Sequence, residues 1–193
     1  MPIVIKTLNL NKWIMLKILQ ILCGTWFFIG ITAENEPKLK ITLEKIEIIS
    51  FNEEYVKNPI AIVFQYNSTH QAINSSGTLL KDLGMELMEN VDIYGIENGE
   101  VHLITSAKDI NVCDILTGDY PELEDLFKFG NFTKCPMKAG FYIVSNAVVD
   151  TNKIPSNAPR GSFILDIKTY DGSVQMSNGK LYLKVEDDVL DLR

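Results

Sequence analysis

The sequence predicts an all-β protein, an antiparallel two-sheet sandwich with one short helix. Apolar and polar residues alternate over short runs, which is the period of a half-buried strand. Pairs of turn-forming residues such as Asn98-Gly99 and Asp171-Gly172 separate these runs. The sequence contains no internal repeat, heptad or low-complexity tract. These three observations together favour a single sandwich domain.

The alternation predicts seven or eight strands. The clearest runs are Ile60 to Tyr66, Phe163 to Ile167 and Leu181 to Val185. Less regular runs lie at 40–50, 78–81, 84–94, 101–105 and 141–149. In the first of these the apolar phase shifts between Leu43 and Ile46, which fits a β-bulge.

Turns and one helix complete the predicted order of elements. The turn pairs are Asn58-Pro59, Asn98-Gly99, Asp171-Gly172 and Asn178-Gly179, and the last of them favours a hairpin. A helix is predicted from Tyr120 to Phe127, because Pro121 suits a first turn and Leu123, Leu126 and Phe127 share a face. We expect this helix between the two cysteines of the domain.

Residues 1–33 have the order of a secretory signal peptide. Three lysines and no acidic residue accompany an apolar run from Ile18 to Ile31, and small residues end at Ala33. An uncleaved membrane anchor is the alternative, but Lys17 and Gln20 interrupt the longer apolar stretch that it needs. We therefore expect cleavage after Ala33, an extracellular domain at 34–193 and no stable membrane span after cleavage.

The predicted domain is strongly acidic. The whole chain has 18 basic and 25 acidic residues, and the signal segment removes three lysines, leaving 15 basic and 25 acidic residues and a net charge of −10. Such a charge opposes binding to phosphate backbones and to anionic membrane surfaces. We therefore expect no nucleic-acid partner.

Cysteine usage predicts one disulfide. Cys23 lies in the signal segment, so Cys113 and Cys135 are the remaining pair in an oxidising compartment. Two free buried thiols are the alternative. His70 and His102 have no metal-ligand spacing relative to these cysteines, so we expect no metal site.

Three acceptor motifs for N-glycosylation begin at Asn67, Asn74 and Asn131. Export would make them usable. Asn67 and Asn74 flank a predicted turn, so they are the better candidates for modification.

The sequence gives little indication of catalysis. It contains no nucleophile elbow, phosphate-binding loop, dinucleotide fingerprint, zinc-protease motif or EF-hand loop. Two acidic clusters could supply paired carboxylates, namely Glu122, Glu124 and Asp125, and Glu186, Asp187 and Asp188. Both lie in runs that read as solvated surface, so we expect neither an enzyme nor a cofactor.

The second half of the chain resembles a known family. The resemblance rests on Cys113–Leu116, Phe127–Pro136, Gly140–Ile143, Ile154-Pro155 and Pro159–Phe163, in that order. These segments resemble a large insect family of unnamed secreted domains. That family is distantly related to the ML (myeloid-differentiation-2-related lipid-recognition) domains and to the ganglioside activator.

The resemblance implies an immunoglobulin-like β-cup whose sheets admit a lipid or another apolar molecule, with no catalytic residues. A secreted carrier, in a chemosensory or lipid-transport role, is therefore the first functional hypothesis. The second is an extracellular interaction module with a filled core, whose surface engages another protein such as a receptor.

Alternation selects seven candidates for the ligand pocket, on the assumption that they face inward. These are Phe64, Met85, Leu87, Phe141, Ile143, Phe163 and Leu165. Met85 and its neighbour Met88 support the choice, since unbranched thioethers adapt to ligands of variable shape.

Overall fold

The structure is a computed structural model that describes residues 38–117 and 127–188. Eight strands in these ranges form two antiparallel sheets, which confirms the predicted all-β sandwich. They are β1 (Leu39–Phe51), β2 (Val56–Gln65), β3 (Gln71–Leu79), β4 (Leu87–Glu97), β5 (Glu100–Asn111), β6 (Gly140–Ala147), β7 (Gly161–Asp171) and β8 (Val174–Asp187). The predicted signal segment lies outside the described residues.

The two sheets differ in size. The larger sheet has the order β1-β8-β7-β4-β5, and the smaller sheet has the order β2-β3-β6. The chain passes from one sheet to the other at the turn after Phe51, where the amide of Val56 donates to the carbonyl of Asn52 at 2.9 Å. β1 and β2 therefore lie beside each other along one side of the sandwich.

The predicted bulge in β1 is confirmed. The pairing of β1 with β8 shifts between Leu43 and Lys45. The shift places both Leu43 and Ile46 on the inner side, since Leu43 is buried and Ile46 contacts an internal cavity.

Two of the four predicted turns connect hairpins. Asn98 and Gly99 join β4 to β5 with φ values of 52° and 83°, the left-handed conformation that Asn-Gly turns adopt readily. Gly172 joins β7 to β8 with a φ of 55°. Both positions match the prediction.

The other two predicted turns are wrong. Asn178 and Gly179 lie inside β8, where Asn178 pairs with residues of both neighbouring strands. Asn58 and Pro59 lie inside β2 at an irregularity, with Asn58 at a φ of 50°. At Asn178 pairing on both sides overrides the local turn preference, whereas Asn58 and Pro59 form an unpaired irregularity in an edge strand.

The predicted turn around Asn67 ends earlier than expected. The Asn67 side chain closes it by accepting hydrogen bonds from the backbone amides of Thr69 and His70, at 2.9 and 2.8 Å. β3 then begins at Gln71 rather than near Thr78. Asn74 consequently lies inside a strand and not beside the turn.

The disulfide between Cys113 and Cys135 is confirmed. Cys113 belongs to a short helix, α1 (Val112–Leu116), whose N-terminal cap is the Asn111 side chain accepting from the Cys113 amide at 2.8 Å. α1 therefore contains the first cysteine instead of lying between the two. The helix predicted from Tyr120 to Phe127 falls outside the described ranges except for Phe127, which is half-buried at a 3₁₀-helical position.

The hydrophobic core is divided into two clusters at opposite ends of the sandwich. One consists of Leu79, Leu83, Leu87, Val112, Cys113 and Met176, and the other of Leu39, Ala158, Phe163 and Val185. Strand β8 shows the division, because Met176 belongs to the first cluster and Val185 to the second. The inner face of β8 between them borders empty space instead of packed side chains.

Candidate ligand-binding site

A cavity of about 510 Å³ lies between the two sheets. On the larger sheet its apolar lining consists of Ile46, Ile48, Ile167 and Leu181. On the smaller sheet the lining includes Val56, Ala61, Tyr142 and Val144. Its volume falls in the range of about 300–1,000 Å³ that is usual for small-molecule pockets.

Small residues on the smaller sheet leave this space open. Ala61, Ser75 and Gly77 line the cavity where a filled sandwich would carry larger side chains. On the larger sheet Gly179 is part of the wall, and a Cβ placed there would meet no atom closer than 3.5 Å. The cavity therefore follows from side-chain size at a few facing positions.

Hydroxyl groups supply polarity at one part of the wall. Thr169 on β7 and Ser177 on β8 are direct cross-strand partners, and both line the cavity. Neither hydroxyl is engaged in a hydrogen bond within the described part of the chain. The pair can therefore donate to, or accept from, a polar group on a bound molecule.

Glu89 extends this polar row onto β4, where it is the cross-strand partner of Thr169. Cross-strand partners project from the same face of a sheet, so the Glu89 side chain is on the inner face. Burial raises the pKa of its carboxyl group.

The charged residues of the lining already have partners. Glu47 accepts a hydrogen bond from the Lys45 ammonium group at 2.8 Å. The Lys180 ammonium group lies 3.8 Å from a carboxylate oxygen of Asp166. Neither side chain is thus left as an unpaired charge to attract an ionic ligand.

The structure does not bring the seven predicted pocket residues together. Leu87 and Phe163 are buried, one in each core cluster, and Leu165 packs against the cluster of Phe163. Ile143 borders the cavity, but it is 41% exposed and pairs with Ser76, so its side chain projects from the outer face and its predicted inward orientation is wrong. These four positions lie at separate places along the sandwich.

The inward orientation predicted for the remaining three is also wrong. Met85 is 55% exposed in the link before β4, and Phe141 is 59% exposed on β6. Phe64 is half-buried and packs edge-to-face against Tyr66, which is itself exposed. Alternation separates the two faces of a strand but does not say which face is interior, and on β2 the larger residues Ile60, Ile62 and Phe64 lie on the outer face.

Several cavity residues were missed by sequence reasoning. Ala61, Ser75 and Gly77 carry no hydrophobic signal, because their contribution is the absence of side-chain volume. Leu181 and Ile46 were indicated by the sequence, because each belongs to an alternating apolar row that is visible there. The sequence therefore indicated the apolar rows but not the empty space between them.

The outer face of the smaller sheet carries an apolar surface, here called the outer patch, with the exposed Lys57 at one end of its β2 row. It consists of Ile60, Ile62, Phe64, Phe141 and Ile143 on the two flanking strands, with Asn74 and Ser76 on the central strand β3. Ile60 and Ile62 are 58% and 49% exposed. Exposed apolar surface of this kind marks an interaction site or a position that needs covering.

The three glycosylation motifs have different surroundings. Asn67 is exposed in the turn that its side-chain oxygen closes. The Asn131 side chain binds the backbone of β6 through both of its polar atoms. Its nitrogen donates to the carbonyl of Phe141 and its oxygen accepts from the amide of Ile143, each at 2.9 Å. Asn74 accepts from the Asn146 amide at 2.7 Å and lies half-buried within the outer patch.

The fold and the cavity define a class, a β-sandwich with a ligand-sized space between its sheets. Residues 89–165 match the model of a family described as a protein of unknown function, DUF1091. This range contains both cysteines and the segments on which the sequence resemblance rests. No curated protein matches the chain.

Membrane-spanning helices and metal-ligand clusters are both missing from the described residues. No helix in 38–117 or 127–188 has both the length and the apolar character to cross a membrane. The same ranges contain no group of three or more His, Cys, Asp or Glu residues placed to hold a metal ion.

Proposed function

We propose that residues 34–193 form a secreted carrier that binds a lipid or another apolar small molecule between its sheets. The cavity of about 510 Å³ is the observation that carries this proposal. A sandwich without a ligand ordinarily fills this region with side chains at the density of an organic crystal. Here two packed clusters stand at the ends and leave the middle open.

The lining narrows the class of ligand. Its walls are mainly aliphatic, β7 and β8 present the free hydroxyls of Thr169 and Ser177, and its Lys180 is paired with Asp166. A carboxylate ligand would lose its hydration without gaining a free cation, which is costly in an apolar site. The favoured ligand is therefore neutral, with an alcohol, ester or ketone group placed near Thr169 and Ser177.

The resemblance stated above supports the same function. ML-like domains are two-sheet cups for apolar ligands, and an order of basic, apolar and small residues at 1–33 supports export. A chemosensory role belongs to the same proposal for neutral lipids such as long-chain hydrocarbons, alcohols and esters, whose chemistry matches this lining.

A matched pair of probes tests the proposal. The delipidated secreted protein is titrated with a pyrene-labelled long-chain alcohol and with the acid of the same chain length, and pyrene emission is followed. We expect saturable uptake of the alcohol at one molecule per chain and weaker uptake of the acid. Failure of both probes to bind saturably would contradict the carrier function.

The outer patch favours a second candidate function, an extracellular interaction module. In that case the patch would engage another protein, such as a receptor, and the cavity would stay empty. Loss of partner binding in an Ile62→Asp variant that still takes up the alcohol would separate this role from the carrier role.

A further inference from the structure

We infer that the outer patch is covered by an N-linked glycan attached to Asn74. The inference rests on the export that the proposed function assumes, but not on ligand binding. It identifies one occupant for the most apolar exposed surface of the smaller sheet.

Asn74 lies within this surface. It is on the central strand β3, and its direct cross-strand partner on β2 is Ile62. Directly paired residues project from the same face, so Ile62 lies beside the Asn74 side chain. On the other side β6 contributes Phe141 and Ile143, which pair with Thr78 and Ser76.

The chemistry of the Asn74 side chain is compatible with modification. Its oxygen accepts from the Asn146 amide, while its nitrogen, the atom that carries a glycan, makes no hydrogen bond among the described residues. Asn131 differs, because its side-chain nitrogen donates to the carbonyl of Phe141. Attachment at Asn131 would therefore disturb the edge of β6, whereas attachment at Asn74 keeps its existing bond.

A glycan would also solve a solubility problem at this face. The described face carries an apolar row on each flanking strand and polar, uncharged side chains at Asn74 and Ser76. Charged side chains usually keep exposed sheets from associating, and the strands of this face provide one only at Lys57, beyond Ile60 and away from Asn74. A bulky, solubilising glycan rooted between the two rows replaces that protection.

Ser76→Ala and Thr69→Ala form a matched pair of test variants. Ser76→Ala removes the Asn74 motif but keeps Asn74 and its bond to Asn146. Thr69→Ala removes the Asn67 motif in the same way and leaves the outer patch unchanged. Both proteins are secreted as full chains from eukaryotic cells, and site occupancy is measured by glycopeptide mass spectrometry.

We expect Asn74 to be occupied in the unmodified protein. We also expect Ser76→Ala to bind an apolar fluorescent dye several-fold more strongly and to self-associate in light scattering, while Thr69→Ala does neither. Adding Ile62→Thr and Phe64→Thr, two patch positions outside the cavity lining, to Ser76→Ala should abolish the gain, which assigns it to the outer patch and not to the cavity. An unoccupied Asn74, unchanged dye binding in Ser76→Ala, or a gain that survives the two threonines would each overturn the inference.

Discussion

Asp92 shows how single residues stabilise the outer face of the larger sheet. It is only 8% exposed, and it accepts hydrogen bonds from Lys108 and from the Ser106 hydroxyl, the latter at 2.6 Å. The Lys168 ammonium group lies 3.5 Å away. These cations and the hydroxyl satisfy a carboxylate that would otherwise be buried at a high cost.

Asp92→Asn tests this arrangement. The hydrogen bond from Lys108, with that from Ser106, lowers the pKa of Asp92 in the folded state. Its contribution to stability is therefore present above the unfolded pKa of about 3.9 and is lost as pH falls through the folded pKa. We expect Asp92→Asn to lower the unfolding free energy by about 1.5–3 kcal/mol at neutral pH, as for hydrogen bonds to charged groups.

Denaturant unfolding at several pH values measures both effects. The loss should shrink as the solution becomes more acidic, because the wild-type carboxylate is then protonated. Glu186→Gln is the control, since it breaks an exposed ion pair with Lys184 and should cost about 0–1 kcal/mol. An equal cost for the two variants would contradict the account of Asp92.

At the scale of elements, the smaller sheet has an unusual distribution of side chains. Its inner face carries Ala61, Ser75 and Gly77, and its outer face carries larger apolar residues such as Ile62 and Phe141. A sandwich with a filled core carries large side chains at these inner positions. The three small residues leave the cavity open between larger ones such as Val56 and Val144, and the exposed Ile62 and Phe141 form part of the outer patch.

Adding a phenyl ring at adjacent positions of β2 distinguishes the two faces. Ala61→Phe places the ring in the cavity, so we expect it to abolish uptake of the pyrene-labelled alcohol while the protein remains folded. Ile62→Phe places the ring on the outer face and should leave uptake unchanged. Pyrene titration gives the first result, and thermal unfolding checks the fold.

Overpacking is the contrasting outcome. If the space were filled in solution, Ala61→Phe would cost about 1–3 kcal/mol in stability, the usual price of forcing bulk into a packed core. A destabilised Ala61→Phe variant, together with a wild type that never binds the alcohol, would refute the cavity.

The sequence predicted the strands whose alternation is strong and missed those whose residues are small or polar. β7 and the part of β8 from Leu181 to Val185 have regular apolar rows, the β4–β5 hairpin has a clear turn pair, and the Leu43 bulge was visible as a change of phase. β3 was mostly missed because Asn74, Ser75, Ser76 and Gly77 give no period-two signal. It is a strand because β2 and β6 pair with it on both sides.

The candidate site was less predictable than the fold. Alternation identified rows of apolar residues, yet a row can pack a core, line a cavity or face solvent. Phe163 packs in a core cluster, Leu181 lines the cavity and Phe141 faces solvent. Only the spacing and relative size of the two sheets decide among these, and both depend on contacts between distant parts of the chain.

At the scale of the whole molecule, the disulfide fixes one end of the sandwich. It joins α1 to the segment before β6, and both cysteines belong to or pack against the core cluster of Leu87 and Met176. The cluster of Phe163 at the other end has no such link. The disulfide therefore cross-links the end of the sandwich that contains α1.

Replacing both cysteines by serine tests the contribution of this link. The bond joins residues 22 apart in sequence, so we expect its loss to cost about 3 kcal/mol if unfolded-chain entropy dominates. Denaturant unfolding of the double variant, with the reduced wild type as control, measures the cost. A double variant with the unfolding free energy of the wild type would show that the two core clusters maintain the stability of the fold without the disulfide.

The central claim is that the space between the sheets holds an apolar molecule in the secreted protein. Native mass spectrometry of the full chain, purified from the medium of eukaryotic cells without delipidation, tests it most directly. We predict a noncovalent adduct of one neutral lipid per chain, released on collisional activation and missing from Ala61→Phe. Wild-type protein without an adduct, or an adduct equally abundant in Ala61→Phe, would contradict the account.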